Sequence, residues 1–590
     1  MGCLRSFAVA TACLLLFGLV STMAREGAVR PRHLVRGAAP PDLLFVQAPA
    51  VASGVLAERF PQGSWLARLH GAGEPKHARR LTLELFAAAD PQVSFDGAKV
   101  LFSGRKAREG TWQVWEMDVD GSNLRQVTTC SQQCLRPAYL PGNEIVYTAA
   151  TFRQGRWSSH LMVSKADGSQ AQRITYGPGN FQVETVLRDG RILASASWPL
   201  DAQAEVASSR QLYTVKPDGT ALESFRCEHQ QRAVRSEAEE LEDGSVVFVK
   251  SEPADGPPGG ALAEIRRGAA HNVLLSPPRT ISWSSRQLGA STLIVSKWIP
   301  AFRNAPGRFA LYAFDLQSRT FGERIYEDPQ VSSLQGVPLA PREAPRKFWT
   351  LVNPEARAGY FICLDSYLSA DSASGKLSVP IASVRVFALD LAADREQTLG
   401  LAPVEQDGSF YVSVPPDLPV RFALFDSNGD LIREQRSWIW ARPNEQRGCP
   451  GCHEDQAVAP ENHWPLTLRR LDTPISVSNR AGKSAGPVDL HRLPDYVNFN
   501  HSLHSSKGIG CSTCHGQAGQ LPQVAPAIPL RMEWCFGCHS NPELYLRPRD
   551  QISRMDWRAP ENQAELGRKL AAQYGTRSVQ ALTSCTLCHH

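Results

Sequence analysis

Four short segments in this chain of 590 residues share one pattern, in which two residues separate a pair of cysteines and a histidine follows at once. They read CPGCH, CSTCH, CFGCH and CTLCH. The paired cysteines are Cys449, Cys452, Cys511, Cys514, Cys535, Cys538, Cys585 and Cys588. The histidines that follow them are His453, His515, His539 and His589. Two thiols at this spacing form thioethers with the two vinyl groups of one porphyrin, and the adjacent histidine then binds its iron. Paired cysteines also make zinc sites, but zinc does not require a histidine after each pair. The pattern predicts four covalently bound haem c groups.

Histidines are concentrated around these segments, where they are candidates for the second axial position of the irons. Of the 15 histidines, 9 lie from His453 onward. The candidate distal ligands are His463, His491, His501, His504 and His590, with Met532 and Met555 as thioether alternatives. His501 and His504 stand three apart, so one helical turn presents both of them to different haems. His463 and His491 are interpreted equally well as ligands or as surface histidines, and His590 as a ligand or a solvated chain end.

The last part of the chain also carries longer similarities. The run from Phe499 to His504 resembles the FxHxxH motif of small multihaem cytochromes of the c3 and c7 type, in which such histidines are distal ligands. MEWCFGCHSNPELYLRPRD, from Met532 to Asp550, is similar to the multihaem cytochrome subunit of alternative complex III and its relatives. These resemblances imply a mostly α-helical or irregular cytochrome c module over 496–590 and a membrane-bound partner complex.

The region before the haem segments must position them, and residues 36–350 consist of repeated short strands. Successive units turn at pairs that contain glycine, among them Asp96-Gly97, Gly142-Asn143, Asp189-Gly190 and Asp243-Gly244. A period of about 45 residues with about four strands in each unit predicts a β-propeller of six or seven blades. The units resemble the propeller of the Tol translocation system.

A further all-β stretch, 351–448, has hairpin turns at Asp407-Gly408 and Asn428-Gly429 and predicts a small β-sandwich. The run from Asp407 to Asp455 resembles the alpha subunit of hydrazine synthase and the proteins that share its middle domain. That resemblance implies a tyrosine four residues after the attachment histidine. It also implies that this tyrosine binds the haem iron and that the histidine binds zinc. Ala457 stands at this position. Hydrazine chemistry is therefore not expected, and His453 is expected to be an ordinary axial ligand.

The N-terminal segment 1–24 has the form of a cleaved secretory signal peptide. Arg5 precedes an apolar run from Phe7 to Val20, and small residues end at Ala24. The run is shorter than the roughly 20 residues that span a bilayer, although an uncleaved anchor is the alternative. A periplasmic location is predicted, which agrees with covalent haem attachment. There, Cys130 and Cys134 form a disulfide or stay free, and Cys227 and Cys363 pair only if the fold brings them together.

The predicted organisation is mainly β, with a signal peptide (1–24), a propeller (36–350), a sandwich (351–448), a first haem segment with a linker (449–495) and a three-haem module (496–590). A net charge of +5 without basic runs argues against nucleic acid as a partner. The favoured function is electron transfer to or from a periplasmic redox protein or a membrane-bound complex, with peripheral membrane association through the partner. One alternative is an oxidoreductase with catalysis at an open first haem under the propeller, similar to hydrazine synthase in architecture but not in chemistry. Another is a propeller receptor in which the haems are structural.

Overall fold

The structure is a computed structural model of the chain. It describes residues 41–52, 56–71, 77–153, 156–197, 209–225, 233–251, 257–266, 271–301, 307–369, 375–391, 395–435, 437–451, 464–470, 473–477, 501–515, 532–554 and 556–584. The chain divides into two compact units, Met1–Val477 and Ser478–His590. The segment predicted to be a signal peptide lies outside the described residues. The predicted domain boundaries are finer than this division and stay predictions.

Six four-stranded antiparallel sheets follow one another through the described part of the first unit. Their strands are β1 (Leu43–Ala48), β2 (Trp65–Leu69), β3 (Ala78–Arg80), β4 (Ala87–Val93), β5 (Lys99–Arg105), β6 (Gln113–Asp118), β7 (Arg125–Gln126), β8 (Gln133–Leu140), β9 (Glu144–Arg153), β10 (Arg156–Lys165), β11 (Gln172–Arg173), β12 (Asn180–Val186), β13 (Ile192–Ser197), β14 (Gln211–Val215), β15 (Glu223–Ser224), β16 (Val234–Glu240), β17 (Val246–Ser251), β18 (Ala261–Ile265), β19 (Val273–Leu274), β20 (Ser282–Gly289), β21 (Thr292–Ile299), β22 (Arg308–Asp315), β23 (Thr320–Tyr326) and β24 (Ser332–Pro338).

Five of these sheets use four consecutive strands each, from β4–β7 to β20–β23. The sixth has the order β24-β1-β2-β3, so that the end of the region pairs with its beginning. Apolar residues on both faces of the strands form clusters between neighbouring sheets. The fold is mainly β and of the propeller type, as the repeated turns predict.

The turn glycines explain why the repeats fold in this way. Gly97, Gly142, Gly190 and Gly244 have φ values of 78°, 80°, 89° and 81°. This left-handed conformation costs other residues a clash at Cβ but is open to glycine. Each of these tight turns therefore reverses the chain after the first strand of a sheet and allows the second to pair with it.

Two more four-stranded sheets complete the first unit. Their strands are β25 (Gly359–Asp365), β26 (Ser383–Asp390), β27 (Arg395–Pro403), β28 (Phe410–Val414), β29 (Val420–Phe425), β30 (Leu431–Glu434), β31 (Gln446–Gly451) and β32 (Ile475–Ser476). The orders are β31-β25-β28-β32 and β27-β26-β29-β30. Phe361 and Val412 of one sheet share a core with Val384 and Val386 of the other. The finer assignment as a sandwich stays a prediction.

The described part of the second unit is helical and irregular. Its helices are α1 (His501–Ser506), α2 (Cys511–His515), α3 (Met532–Ser540), α4 (Gln563–Gln573) and α5 (Val579–Leu582). Short 3-10 helices in the chain span Leu56–Glu58, Leu466–Arg469, Pro542–Leu544 and Arg549–Gln551. The buried apolar cluster of the second unit consists of Leu546, Leu570 and Tyr574. Among the described helices of the whole chain, none has the length and apolar character needed to cross a membrane.

Candidate haem sites

The third cysteine motif lies in helix α3, which places its reactive groups on one side. Cys535, Cys538 and His539 are spaced so that one helical face carries all three. Nδ1 of His539 lies 2.9 Å from the carbonyl oxygen of Leu582. An Nδ1–H donated to this carbonyl fixes the tautomer in which Nε2 carries the lone pair, which is the usual arrangement of a metal-binding histidine. The residues present therefore fit a haem with His539 as a proximal ligand.

His504 of helix α1 lies opposite this histidine. The centroids of the His504 and His539 rings are 6.1 Å apart, and their planes differ by 29°. Two imidazoles bound through nitrogen to opposite sides of one metal, each at about 2 Å, place their centroids about 6 Å apart. This separation fits His504 as a distal ligand of the haem whose proximal ligand is His539.

The second motif lies in helix α2, close to the third. Burial raises the pKa of the Cys514 thiol, with contributions from Cys535 and then Cys511. Burial also raises the pKa of Cys538 to about 12, with contributions from Cys514 and Cys535. Electrostatic interactions between thiols of the two motifs require them to be close, so the second and third motifs lie near each other. Among the side chains that the structure describes, no group of three or more His, Cys, Asp or Glu is arranged to hold a metal ion directly.

The first motif begins on an edge strand, β31. Cys449 pairs in register with Cys363 of the parallel strand β25, and both contact the apolar core of the two sheets. Burial raises the pKa of the Cys449 thiol, while the nearby Arg447 opposes this effect. Arg447 lies on the same side of β31, because successive side chains of a strand alternate.

The segment before Cys449 is fixed to the propeller by hydrogen bonds to residues 218–222, which we call the docking turn. The indole Nε1 of Trp440 donates to the carbonyl of Gly219 (3.2 Å), and the amide of Ala221 donates to Glu445 (2.7 Å). Arg447 donates to the carbonyl of Leu222. Its other guanidinium nitrogen donates to the carbonyl of Trp440 (2.7 Å). The strand that carries the first motif therefore has a defined position against the propeller.

Several predicted site residues cannot be placed. Those outside the described residues are Cys452, His453, His463, His491, Met555, Cys585, Cys588, His589 and His590. His501, His515 and Met532 lie in helices, but their side chains are not described. Among the other cysteines, Cys130 and Cys134 form a disulfide, and Cys227 lies outside the described residues.

Sequence reasoning missed a polar cluster inside the propeller. One strand of each of the six sheets (β4, β8, β12, β16, β20 and β24) pairs with its neighbour through a bulge or irregularity, and at or beside it one polar side chain faces a common cavity. We call these side chains the axial ring, and they are Asp90, Arg136, Glu184, Glu237, Arg286 and Gln335. Their recurrence at intervals of about 50 residues is the signal that would have revealed them.

Ion pairs connect the axial ring. Arg136 lies 3.3 Å from Glu184 and 2.5 Å from Glu237, and its amide donates to Asp90. Burial opposes ionisation of Asp90, but Arg59 and Arg136 hold the pKa of its carboxyl well below the usual range. Burial raises the pKa of Glu184, which Arg136 only partly offsets. The ring joins neighbouring sheets across the interior.

Residues 372–454, which include the first cysteine motif, match the family described as the hydrazine synthase alpha subunit middle domain. Hydrazine synthase subunit alpha of Kuenenia stuttgartiensis is 23% identical over 534 aligned residues, which cover 70% of this chain and 66% of that protein. The chain thus spans about two thirds of this relative. The solved hydrazine synthase from Kuenenia stuttgartiensis has a TM-score of 0.64 at 20% identity, covering 73% of this chain and 72% of that one. The chain is similar to the hydrazine synthase alpha subunit in sequence and in fold.

TolB from Acinetobacter baumannii, at 14% identity, covers 50% of this chain and 65% of its own, with a TM-score of 0.36, which is too low to carry an argument.

The likeness to the hydrazine synthase alpha subunit corrects the favoured function. By its name, that relative is a subunit of a synthase, and therefore of an enzyme with more than one chain. The prediction that this chain is an electron-transfer cytochrome is wrong. Cysteine motifs predict haem attachment, but they do not distinguish a haem that passes electrons from one that binds a substrate.

Proposed function

We propose that this hydrazine synthase alpha subunit-like chain is the catalytic subunit of a haem-dependent oxidoreductase that works with other protein subunits. The reaction takes place at a haem attached through Cys449 and Cys452, with His453 as its axial ligand. The observation that carries this proposal is the family match over 372–454, which ends just beyond the first motif. A haem supplies an iron that exchanges electrons and binds small nitrogen or oxygen ligands. Compounds of this kind are the proposed substrates.

The chain's own residues orient this site. Trp440, Glu445 and Arg447 all contact the docking turn within the few residues that precede Cys449. Burial raises the pKa of Glu445, although Arg447 and the two amides that donate to it oppose this effect. These contacts hold the strand that begins the first motif in a defined position against the propeller. Ala457 has no iron-binding side chain, so His453 is the axial ligand proposed for this iron.

The other three motifs are proposed to carry haems that store the electrons that the reaction consumes or releases. The fit of His504 and His539 to one iron supports this proposal for the third motif. Export to the periplasm is proposed with it, because the attachment of haem to paired cysteines takes place there.

Low-temperature electron paramagnetic resonance of the holoprotein, with haem counted per chain, tests the proposal. We expect four haems, of which one is high-spin, and we expect that signal to disappear in Cys449→Ala. His504→Ala serves as a positive control, because the loss of a distal ligand should add a second high-spin haem. Four low-spin haems in the unmodified chain would contradict an open catalytic iron.

A further inference from the structure

Arg547 is a buried cation in the second unit, and it is not one of the predicted haem ligands. The residue is only 6% exposed. One guanidinium nitrogen donates to the hydroxyls of Ser512 (2.8 Å) and Thr513 (3.1 Å), and another donates to the carbonyl of Arg554 (3.2 Å). Ser512 and Thr513 are the two residues between the cysteines of the second motif. Arg547 is therefore bound to the turn from which that haem would be attached.

The surrounding backbone is shaped to hold this guanidinium. A Cβ atom on Gly510 would lie 2.3 Å from the central carbon of the Arg547 guanidinium, so any larger residue there would displace the guanidinium from this position. The guanidinium also faces the ring of Trp557 at 5.6 Å. The amide of Arg547 donates to Gly508 (2.8 Å), and its carbonyl accepts from the hydroxyl of Tyr574 (3.1 Å). These contacts fix both ends of the side chain.

Charge makes the arrangement unusual. Among the residues that the structure describes, no aspartate or glutamate forms an ion pair with Arg547, and nearby Asp556 pairs with Arg554 instead (2.8 Å). Burial lowers the pKa of Arg547, but a guanidinium remains charged in proteins. A buried charge without a counter-charge is costly. Such a cation acts strongly on any group nearby whose charge changes, because the low-dielectric interior screens it weakly.

We propose that Arg547 is the positioning residue of the haem at Cys511 and Cys514, and that it raises the reduction potential of this haem. This inference rests on the proposed function, since it requires haem at the second motif. The ferric state carries one positive charge more than the ferrous state, so a fixed cation at the cysteine edge of the porphyrin disfavours it. The second haem then retains an electron more strongly than it would without this cation.

Redox titration of the full-length holoprotein, with haem counted by intact mass, tests this role. In Arg547→Gln, we expect the reduced-to-oxidised ratio of one haem at a fixed applied potential to fall about tenfold, which corresponds to about 59 mV for a one-electron couple. Arg547→Lys should shift it less, because the charge is retained while the forked contact is lost. The shifted component should be the one missing from Cys511→Ala/Cys514→Ala.

Arg549→Gln is the matched control. Arg549 stands two residues away and also lies over an aromatic ring, that of Tyr574 at 5.3 Å, but it is exposed. Its replacement should leave every potential unchanged. Full haem content with unchanged potentials in Arg547→Gln would overturn the inference alone. The absence of haem from Cys511 and Cys514 in the unmodified chain would overturn the proposed haem attachment at the second motif as well.

If Arg547→Gln does not accumulate as a holoprotein, Ser512→Ala/Thr513→Ala keeps the cation but removes two of its partners. The same haem should then show a threefold fall in its reduced-to-oxidised ratio, about half the tenfold effect on a logarithmic scale. Unchanged potentials in this variant would overturn the inference.

Discussion

The two units of the chain differ in what fills their interiors. In the first unit, large apolar side chains such as Phe102, Phe248 and Trp112 are fully buried, and clusters of this kind occur between successive sheets. In the described part of the second unit, the apolar cluster comprises Leu546, Leu570 and Tyr574 with three partly buried neighbours. The first unit therefore has a core made of its own side chains, whereas the described part of the second unit has a small apolar core, which agrees with the haems proposed for it.

The largest expected effect follows from removing one cofactor from the second unit. Cys535→Ala/Cys538→Ala deletes both thioether attachments of the third motif. We expect helices α1 and α3–α5 to lose their protection against hydrogen exchange, because the remaining apolar cluster is too small to order them. Strands β4–β23 should keep theirs. Hydrogen exchange measured by mass spectrometry on the intact chain reports both units in one experiment.

Cys130→Ala/Cys134→Ala is the control for this loss, because it also removes two cysteines. Their disulfide closes a short loop, and its removal should cost the first unit only about 2 kcal/mol. Protection retained throughout the second unit of Cys535→Ala/Cys538→Ala would show that this unit folds without the third haem.

A smaller effect is expected from the axial ring. Arg136→Met leaves Glu184 and Glu237 buried without their shared cation. We expect the free energy of unfolding of the first unit to fall by about 3–5 kcal/mol, with the haem spectra of the second unit unchanged. Thermal unfolding followed by circular dichroism measures the change. Arg324→Met is the control, since this exposed partner of Glu327 should contribute at most about 1 kcal/mol.

The smallest expected effect is a loss of stability of the first unit at acidic pH. Burial, assisted by Arg173, lowers the pKa of His160 from 6.5 to about 4. Between these values the unfolded chain binds a proton that the folded chain does not, so stability that is complete above pH 6.5 is lost as the pH falls towards 4. The loss should reach about 3 kcal/mol. His160→Gln should flatten this part of the stability curve. An equal slope in His160→Gln would assign the acid sensitivity to other groups.

The repeated strands and their turns could be predicted from the sequence because they depend on neighbouring residues. Gly97 and Gly190 follow aspartate between apolar runs, and both have the left-handed backbone that this pattern indicates. The cysteine motifs are also local, and α2 and α3 present them on helices. His504 was identified as a candidate ligand, but its approach to His539 depends on how two distant segments pack.

The remaining features depend on long-range contacts that have no local signature. Nothing near Trp440 in the sequence indicates that its indole reaches Gly219. The sequence around Arg547 does not distinguish it from a surface arginine. Its burial depends on contacts with Gly510 and the second motif. The function is predicted wrongly for a similar reason, because the cysteine motifs are local patterns that do not show what the preceding domains contribute.

The axial ring has a consequence for how this propeller can change during evolution. Each sheet contributes one ring member, and β24 pairs with β1 to close the series. Duplication or deletion of a single blade would insert or remove one charged or amide side chain and leave a neighbour such as Glu237 without its pair. Charge complementarity within the ring therefore opposes a change in the number of sheets, in addition to the strand pairing that closes the series.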